Sequence, residues 1–267
     1  MITFELSKSD YMLTFQELFT DKALKLHYNR VNRAKLSNGL TMEYALHGDD
    51  NAPEKVVLIM GLLGDKEAWL PLVSAMTSME SSSKYQFVTF DNRGVGGSDK
   101  PWGPYSTCQM AHEAILLMNH LQWKSAHIVG ASMGGMIAQE LACENPSRVK
   151  SLALLVTTSS VVYGPSPTWS QLSGYLAILR SLLLNSQHAT ASTMLYVLFP
   201  DKFLDEKIAL TNKRAVLYKH HIDRQQRIVP SLSGMIGQYA AVALHYMSSN
   251  RLQEIKKNEF PIVVMGA

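Results

Sequence analysis

The chain has 267 residues, of which 46% are hydrophobic and 18% are charged, and its formal net charge is +3. This length suits one large α/β domain or two small ones with a substantial core. The basic residues are scattered, so no nucleic-acid partner is expected. No window approaches 18 uninterrupted apolar residues and the N-terminus lacks the pattern of a signal peptide, so we expect no membrane span and a cytoplasmic protein.

The two cysteines, Cys108 and Cys143, both fall in predicted helices. They form neither a CxxC motif nor a zinc-binding spacing, so a disulfide framework and a metal site are not expected. Free cysteine is among the most buried residue types, and we therefore predict two buried, reduced thiols.

Residues 1–30 are predicted to be an N-terminal appendage, and the first part of the core is predicted to span residues 31–158. The segment "RAKLSNGLTMEYALHGD" predicts a β-hairpin with its turn at Asn38-Gly39. Short apolar runs at 55–61, 85–91, 126–130 and 149–158 then alternate with predicted helices at 67–80, 107–121 and 132–144. Strands that alternate with helices predict a mostly parallel sheet covered by helices on both faces.

Residues 159–232 break this alternation, because prolines separate helical segments and no buried-strand run appears. A segment of this length is too long for a simple loop and predicts a helical lid inserted after the sixth strand. The second part of the core, 233–267, is predicted to contain a helix at 234–247 and a seventh strand in "FPIVVMGA".

The segment "AHIVGASMGGMIAQELA", residues 126–142, places Ser132 where a predicted strand becomes a predicted helix. The motif G-x-S-x-G occurs by chance in about one chain in ten of this length, so the strand–turn–helix context carries the argument. Small residues on both sides of Ser132 permit a tight turn, and the free N–H groups of the helix N-terminus suit a developing oxyanion. The structural alternative is a serine that caps a buried helix.

Three segments, "LIMGLLGDKEAW", "FDNRGVGGSD" and "GASMGG", each follow a predicted strand in this order. Together they resemble the α/β-hydrolase superfamily of the AB hydrolase-1 type, and within it the lid-bearing esterases and lactonases. The resemblance runs from about residue 35 to the last residue. It implies an α/β-hydrolase fold and neither a metal nor an organic cofactor.

The resemblance also implies roles for individual residues. Ser132 corresponds to the nucleophile, and the backbone N–H of Met133 corresponds to one donor of the oxyanion hole. Leu62 corresponds to the second donor, although Met60 stands where the family usually carries histidine. In the loop 91–99, Asp91 and Arg93 are expected to hold the loop in place.

In this family the triad acid follows the seventh strand and the histidine follows the eighth. The sequence ends at Ala267, so we expect a C-terminally truncated chain that lacks both groups and retains at most residual activity and poor solubility. Each of the nine histidines is interpreted as a surface or packing residue. If the chain is nevertheless active, the candidates for the base are His188, His220, His221 and His245.

Two functional hypotheses follow. The first is a serine-type hydrolase that acts on a small-molecule carboxylic ester, thioester or lactone through Ser132. The alternative is a non-catalytic protein of the same fold that binds a small apolar ligand. The sequence does not determine the substrate or the oligomeric state.

Overall fold

The computed structural model describes residues 13–162, 169, 173, 176–177, 186–227 and 231–266. The chain divides into two compact units. The core unit comprises the described residues of 25–164 and 230–267, and the helical unit comprises those of 13–24 and 165–229. Residues 1–12 of the predicted appendage and most of residues 163–185 of the predicted lid lie outside the described residues, and the lid assignment of residues 159–232 stays a prediction.

The strands are named in chain order, and β7 and β8 form a short hairpin in the helical unit. Their bounds are β1 Val31–Lys35, β2 Thr41–Gly48, β3 Glu54–Ile59, β4 Tyr85–Phe90, β5 Ala126–Ala131, β6 Val149–Leu155, β7 Lys207–Ile208, β8 Thr211–Asn212 and β9 Ile262–Met265.

The α-helices of the described residues are named in the same way. Their bounds are α1 Asp21–His27, α2 Leu70–Thr77, α3 Thr107–His120, α4 Met133–Glu144, α5 Gln187–Leu198, α6 Asp201–Leu204, α7 Lys213–Arg227, α8 Leu232–Leu244 and α9 Ser249–Lys257. Short 3₁₀ helices occur at Glu17–Phe19, Lys66–Trp69, Glu80–Lys84 and Pro146–Arg148.

Within the described residues, seven strands of the core unit form one sheet in the order β1-β2-β4-β3-β5-β6-β9. The strands β4, β3, β5, β6 and β9 run parallel, and β1 and β2 add an antiparallel hairpin at one edge. The prediction of a mostly parallel sheet is therefore confirmed. The hairpin turns at Gly39 with a φ of +87°, a conformation that glycine adopts without steric cost.

The central strands are apolar because both faces of the sheet are covered. Val57, Val88 and Ile128 on three neighbouring strands have no or almost no exposed surface. On one side they pack with α3 and α4 residues such as Met118 and Ile137. This packing holds the carboxyl ends of β3, β4, β5 and β6 together at one edge of the sheet.

The expectation of two buried thiols is wrong for Cys108, which is exposed, whereas Cys143 is half-buried and both are free. In α3 the buried face carries Met110, Ala114 and Leu117. Cys108 lies two residues before Met110, a rotation of about 200° around the helix, and therefore points to solvent.

The helical unit has its own small apolar cluster. Leu195, Leu204 and Leu217 are buried there, and phenylalanines of the same unit pack against them. The ammonium group of Lys213 lies 3.9 Å from the centre of the Phe203 ring, a favourable cation–π distance. Among the described residues of both units, none of the helices combines the length and the apolar character needed to cross a bilayer.

We predict that Val57→Ala lowers the free energy of unfolding by about 2–3 kcal/mol, because it removes two buried methyl groups and leaves a cavity. Val31→Ala is the matched control, since Val31 is 41% exposed on the edge strand β1, and its effect is expected to stay below about 0.5 kcal/mol. Urea unfolding of both variants measures the difference. Equal losses would contradict the placement of the core between the sheet and its helices.

Candidate active site

Ser132 lies between the end of β5 and the start of α4, and it is exposed. Its backbone has φ +53° and ψ −120°, a combination that non-glycine residues rarely adopt and that costs about 1–3 kcal/mol. Ser132 occupies the N-cap position of α4, but its side chain makes no capping hydrogen bond to the helix. The strained turn leaves the hydroxyl side chain free to meet a ligand.

Backbone groups on both sides hold the turn at Ser132. Its N–H donates to the carbonyl of Leu155 at the end of β6 at 2.9 Å. Its carbonyl accepts the N–H groups of Gly135 and Met136 at 2.9 and 3.2 Å, and the hydroxyl of Thr157 at 2.8 Å. These four bonds offset the strain of the positive φ.

Two glycines allow α4 to approach the sheet closely. A Cβ atom on Gly134 would lie 2.0 Å from the carbonyl oxygen of Ile59, and one on Gly130 would lie 2.3 Å from the carbonyl oxygen of Gly134. Both distances are shorter than any real Cβ contact, so only glycine fits at positions 130 and 134. The N-terminus of α4 is therefore pressed against the end of β3.

The loop after β3 passes directly beside Ser132. A Cβ atom on Gly61 would lie 3.0 Å from the Cβ atom of Ser132 and 3.4 Å from its Oγ. The next residue, Leu62, is half-buried. Among the hydrogen bonds of the described residues, none uses the N–H of Leu62 or of Met133 as a donor. Leu62 follows Gly61, which contacts Ser132, and Met133 follows Ser132 at the positive end of the α4 dipole.

The loop 91–99 is fixed by a buried carboxylate. Asp91 accepts the backbone N–H of Lys66 at 2.7 Å, the Lys66 ammonium at 2.9 Å and the N–H of Gly97 at 2.8 Å. The Lys66 ammonium also reaches Glu43 at 2.7 Å. Burial opposes the charged ammonium, but Asp91 and Glu43 outweigh it and raise the pKa of Lys66.

A second buried ion pair holds the same loop. The Arg93 guanidinium binds both carboxylate oxygens of Glu113 on α3, with Nε at 2.9 and 3.0 Å, and lies 4.9 Å from the centre of the Tyr105 ring. Both partners are almost fully buried, and Asn38 donates to Glu113 at 3.2 Å. These contacts give Asp91 and Arg93 the structural role that the sequence predicted.

Gln238 on α8 was not singled out by the sequence, although it has no exposed surface. Its Oε1 accepts the N–H of Leu63 at 2.7 Å, and its Nε2 donates to the carbonyl of Arg93 at 2.8 Å. It therefore connects the loop after β3 to the loop after β4. The signal in the sequence is an amide within the apolar run "GMIGQYAAVAL", because a buried amide requires partners.

Among the histidines of the core unit, His245 is buried against α3 and α4. Its Nδ1 shares a hydrogen bond with the Thr107 hydroxyl at 2.8 Å and lies 3.6 Å from Glu140. Glu140 follows Ser132 by eight residues in α4, which is about 12 Å along the helix axis. Burial lowers the pKa of His245. This position holds α8 against α4 and does not bring the imidazole to Ser132.

The other histidine candidates belong to the helical unit. His188 Nδ1 shares a hydrogen bond with the Tyr218 hydroxyl at 2.7 Å, and the ring of His220 lies 4.9 Å from that of Phe19 and 5.8 Å from that of His221. Within the described ranges, no histidine forms a hydrogen bond with Ser132, and no group of three or more metal-ligating side chains converges on one point.

An exposed serine in a strained strand-to-helix turn, beside a loop with a free N–H, is the arrangement of the nucleophile elbow. Residues 55–204, more than half of the chain, match the family model described as "alpha/beta hydrolase fold". The chain belongs to the α/β-hydrolase fold family. The resemblance inferred from the three sequence segments is thereby confirmed.

Curated relatives share part of the chain. "Putative carbamate hydrolase RutD" of Azorhizobium caulinodans is 26% identical over 70% of this chain and 65% of that protein. "3-oxoadipate enol-lactonase 2" of Acinetobacter baylyi is 36% identical over 32% of each chain. The matched regions thus span less than two thirds of the relatives' own length.

Solved structures share the fold over most of the chain. The enol-lactonase from Burkholderia xenovorans aligns with a TM-score of 0.66 and 23% identity over 88% of this chain and 80% of that chain. A hydrolase from Pseudomonas aeruginosa aligns with a TM-score of 0.63 and 20% identity over 89% and 90%. At these identities the likeness establishes the fold.

We predict that Gly134→Ala lowers the free energy of unfolding by about 2–3 kcal/mol, because its methyl group overlaps the backbone of Ile59 and forces α4 away from β3. Gly266→Ala is the control, since a Cβ atom there meets nothing within 4 Å. Urea unfolding reports both values. A Gly134→Ala protein as stable as the wild type would show that α4 can move without cost.

A second prediction concerns His47 on β2, whose Nδ1 contacts the carbonyl of His27 at 2.8 Å and whose Nε2 contacts the Thr89 hydroxyl at 2.9 Å. Burial lowers the pKa of His47 to about 4. The unfolded chain therefore binds a proton near pH 6.5 that the folded chain takes up only near pH 4. The stability that His47 contributes is complete above pH 6.5 and falls by about 3 kcal/mol as the pH drops to 4.

The measurement is urea unfolding from pH 7 to pH 4 for the wild type, His47→Gln and His112→Gln. His47→Gln removes this part of the pH dependence, whereas His112→Gln retains it because His112 is exposed. Parallel pH profiles for the wild type and His47→Gln would contradict the prediction.

Proposed function

We propose that the protein is a serine-type hydrolase that cleaves a small-molecule carboxylic ester, thioester or lactone through Ser132. The observation that carries the proposal is that Ser132 is exposed while four hydrogen bonds hold its backbone at the strained φ of +53°. Strain maintained by the surrounding structure is concentrated at functional sites.

The neighbouring N–H groups support acyl chemistry. When Ser132 Oγ attacks a carbonyl carbon, the carbonyl oxygen becomes an oxyanion, and the N–H groups of Leu62 and Met133 are proposed to donate to it. Such donors act where negative charge develops, and each contributes about 10²–10³-fold in rate. The proton of the serine hydroxyl passes to a base, the alcohol or thiol leaves with a proton, and water then releases the acid from the serine ester.

The substrates in the names of these two relatives share one chemical feature. A carbamate and an enol-lactone both contain a carbonyl carbon bonded to a heteroatom that can leave. That carbonyl is the group on which a serine nucleophile and an oxyanion hole act. The substrate proposed here therefore has an acyl carbon with an oxygen or sulfur leaving group.

We predict that, in a form of the protein that also carries the triad acid and histidine, a fluorophosphonate probe labels Ser132, and that Ser132→Ala loses labelling and lowers the turnover of p-nitrophenyl esters by more than about 10³-fold. Ser249→Ala is the control, because Ser249 is equally exposed but lies at the start of α9 outside any strained turn. Peptide mass spectrometry locates the label.

Undiminished labelling or turnover in Ser132→Ala would refute the nucleophile assignment. A wild-type protein that binds apolar esters without labelling or turnover would instead favour the alternative, a non-catalytic binding protein of the same fold.

A further inference from the structure

We propose that Thr157 is a positioning residue whose hydroxyl fixes the peptide between Ser132 and Met133, the peptide that carries one of the two proposed oxyanion donors. Thr157 acts through the backbone of Ser132 and takes no part in the making or breaking of bonds. Because the Met133 N–H acts as a donor only in the proposed reaction, this assignment rests on the proposed function.

The chain that follows β6 holds both polar groups of the Ser132 backbone. The N–H of Ser132 donates to the carbonyl of Leu155 at 2.9 Å, and its carbonyl accepts the Thr157 hydroxyl at 2.8 Å. One residue, Val156, separates the two partners, so a segment of three residues holds the strained serine. The bond from Thr157 comes from a side chain, and a substitution can therefore remove it without changing the backbone.

The hydroxyl of Thr157 and the N–H of Met133 act on the same rigid unit. The carbonyl of Ser132 and the N–H of Met133 belong to one planar peptide, and every peptide bond in the described part of the chain is trans. The two groups of a trans peptide point in opposite directions, so a donor that fixes the carbonyl also fixes the direction of the N–H. A donor on the carbonyl oxygen also polarises the peptide and strengthens its N–H as a donor.

The helix alone offers this peptide a weak support. The carbonyl of Ser132 also accepts the N–H groups of Gly135 and Met136 in the first turn of α4. That turn contains Gly134 and Gly135 in succession, and glycine is the poorest helix former apart from proline. Helix ends fray, so the hydroxyl of Thr157 restrains the peptide from outside at the point where the helix is intrinsically weakest.

The loop that carries Thr157 is held in a strained form. Val156 has φ +48°, a value that β-branched residues rarely adopt because of steric conflict with the backbone. Its N–H donates to the carbonyl of Met265 in β9 at 2.7 Å, and the amide of Gln139 in α4 donates to the carbonyl of Thr158 at 3.1 Å. The loop is therefore fixed on both sides of Thr157, which is how a strained conformation persists.

Gly135 provides the space that the Thr157 side chain occupies. A Cβ atom on Gly135 would lie 2.6 Å from Cβ, 2.7 Å from Cγ2 and 2.7 Å from Oγ1 of Thr157. The side chain of Thr157 therefore rests directly on the first turn of α4. In this position its hydroxyl has little freedom to leave the carbonyl of Ser132.

The test measures turnover of p-nitrophenyl acetate by the form of the protein that also carries the triad acid and histidine. Thr157→Val removes the hydroxyl and keeps the shape of the side chain. It is expected to lower kcat by about 5- to 30-fold, which is part of the contribution of about 10²–10³-fold that one oxyanion donor makes. KM is expected to change by less than about threefold, since acylation and deacylation both pass through an oxyanion and slow together.

Two further variants separate the hydroxyl from the loop. Thr157→Ser keeps the hydroxyl, and its kcat is expected to stay within about threefold of the wild type. Thr158→Val is the matched control, because the Thr158 hydroxyl lies in the same loop and donates to the carbonyl of Ser160 at 3.0 Å. Its kcat is also expected to stay within about threefold of the wild type.

Thermal unfolding of each variant separates a loss of folded protein from a loss of rate. If Thr157→Val does not fold, the comparison of Thr157→Ala with Thr157→Ser isolates the hydroxyl. An unchanged kcat in a folded variant without the hydroxyl overturns the proposal. A loss of kcat that Thr157→Ser shares, or that Thr158→Val reproduces, overturns it as well.

Ser132→Ala in the same assay separates this proposal from the proposed function. If Ser132→Ala retains turnover, the proposed function fails, and the hold of Thr157 on the peptide is then measured without catalysis. The NMR chemical shifts of the Ser132 carbonyl carbon and the Met133 amide nitrogen report this bond in the 267-residue chain. Changes in Thr157→Val that Thr157→Ser and Thr158→Val lack support the hold on the peptide, and unchanged shifts refute it.

Discussion

The contact of α4 with the backbone of β3 is the constraint on which the candidate site depends. Because no side chain fits between Gly134 and Ile59, the first turn of α4 rests on the end of a neighbouring strand. The chain must therefore reverse within one residue after β5, and Ser132 is forced into a conformation that only its surroundings stabilise. The exposure of its side chain follows from this reversal.

The parallel sheet explains why the other parts of the site lie close by. In register, Ile59 pairs with Gly130 and Leu155 pairs with Ala131, so β3, β5 and β6 end at the same level. The loops that follow these strands meet at one edge, which is where ligands bind in open α/β sheets. Two buried ion pairs and the amide of Gln238 then fix the loops.

Local signals in the sequence were sufficient for much of this arrangement. Continuous apolar runs locate β3, β4, β5 and β6, Asn38-Gly39 locates the hairpin, and the glycines around Ser132 locate the turn between β5 and α4. Each of these signals depends on neighbours in the sequence, through steric requirements that a short segment already contains.

Such local signals do not predict hydrogen bonds and ion pairs between residues that are far apart in the sequence. Gln238 meets Leu63 across 175 residues, and Arg93 meets Glu113 on another element. Cys108 was assigned to the interior by residue type, although the rotation of α3 decides its exposure. The sequence pattern does not predict helix α9, because the helix is polar over most of its surface and Ile255 is its one buried residue. The roles of Ser132, Leu62 and Met133 remain predictions that the structure makes testable.

The hydrogen bonds around Ser132 also bear on when its strained conformation can form. Their partners come from Leu155 and Thr157, and the close contact of α4 comes from Ile59, so three distant parts of the chain must already be docked. Contacts of such sequence separation form slowly, since the intervening loops must close first. Until β6 joins the sheet, the hydrogen bonds with Leu155 and Thr157 that hold Ser132 at positive φ cannot form. The strained conformation of Ser132 therefore depends on the completed assembly of the sheet, and a local opening of β6 would release it before the rest of the core unfolds.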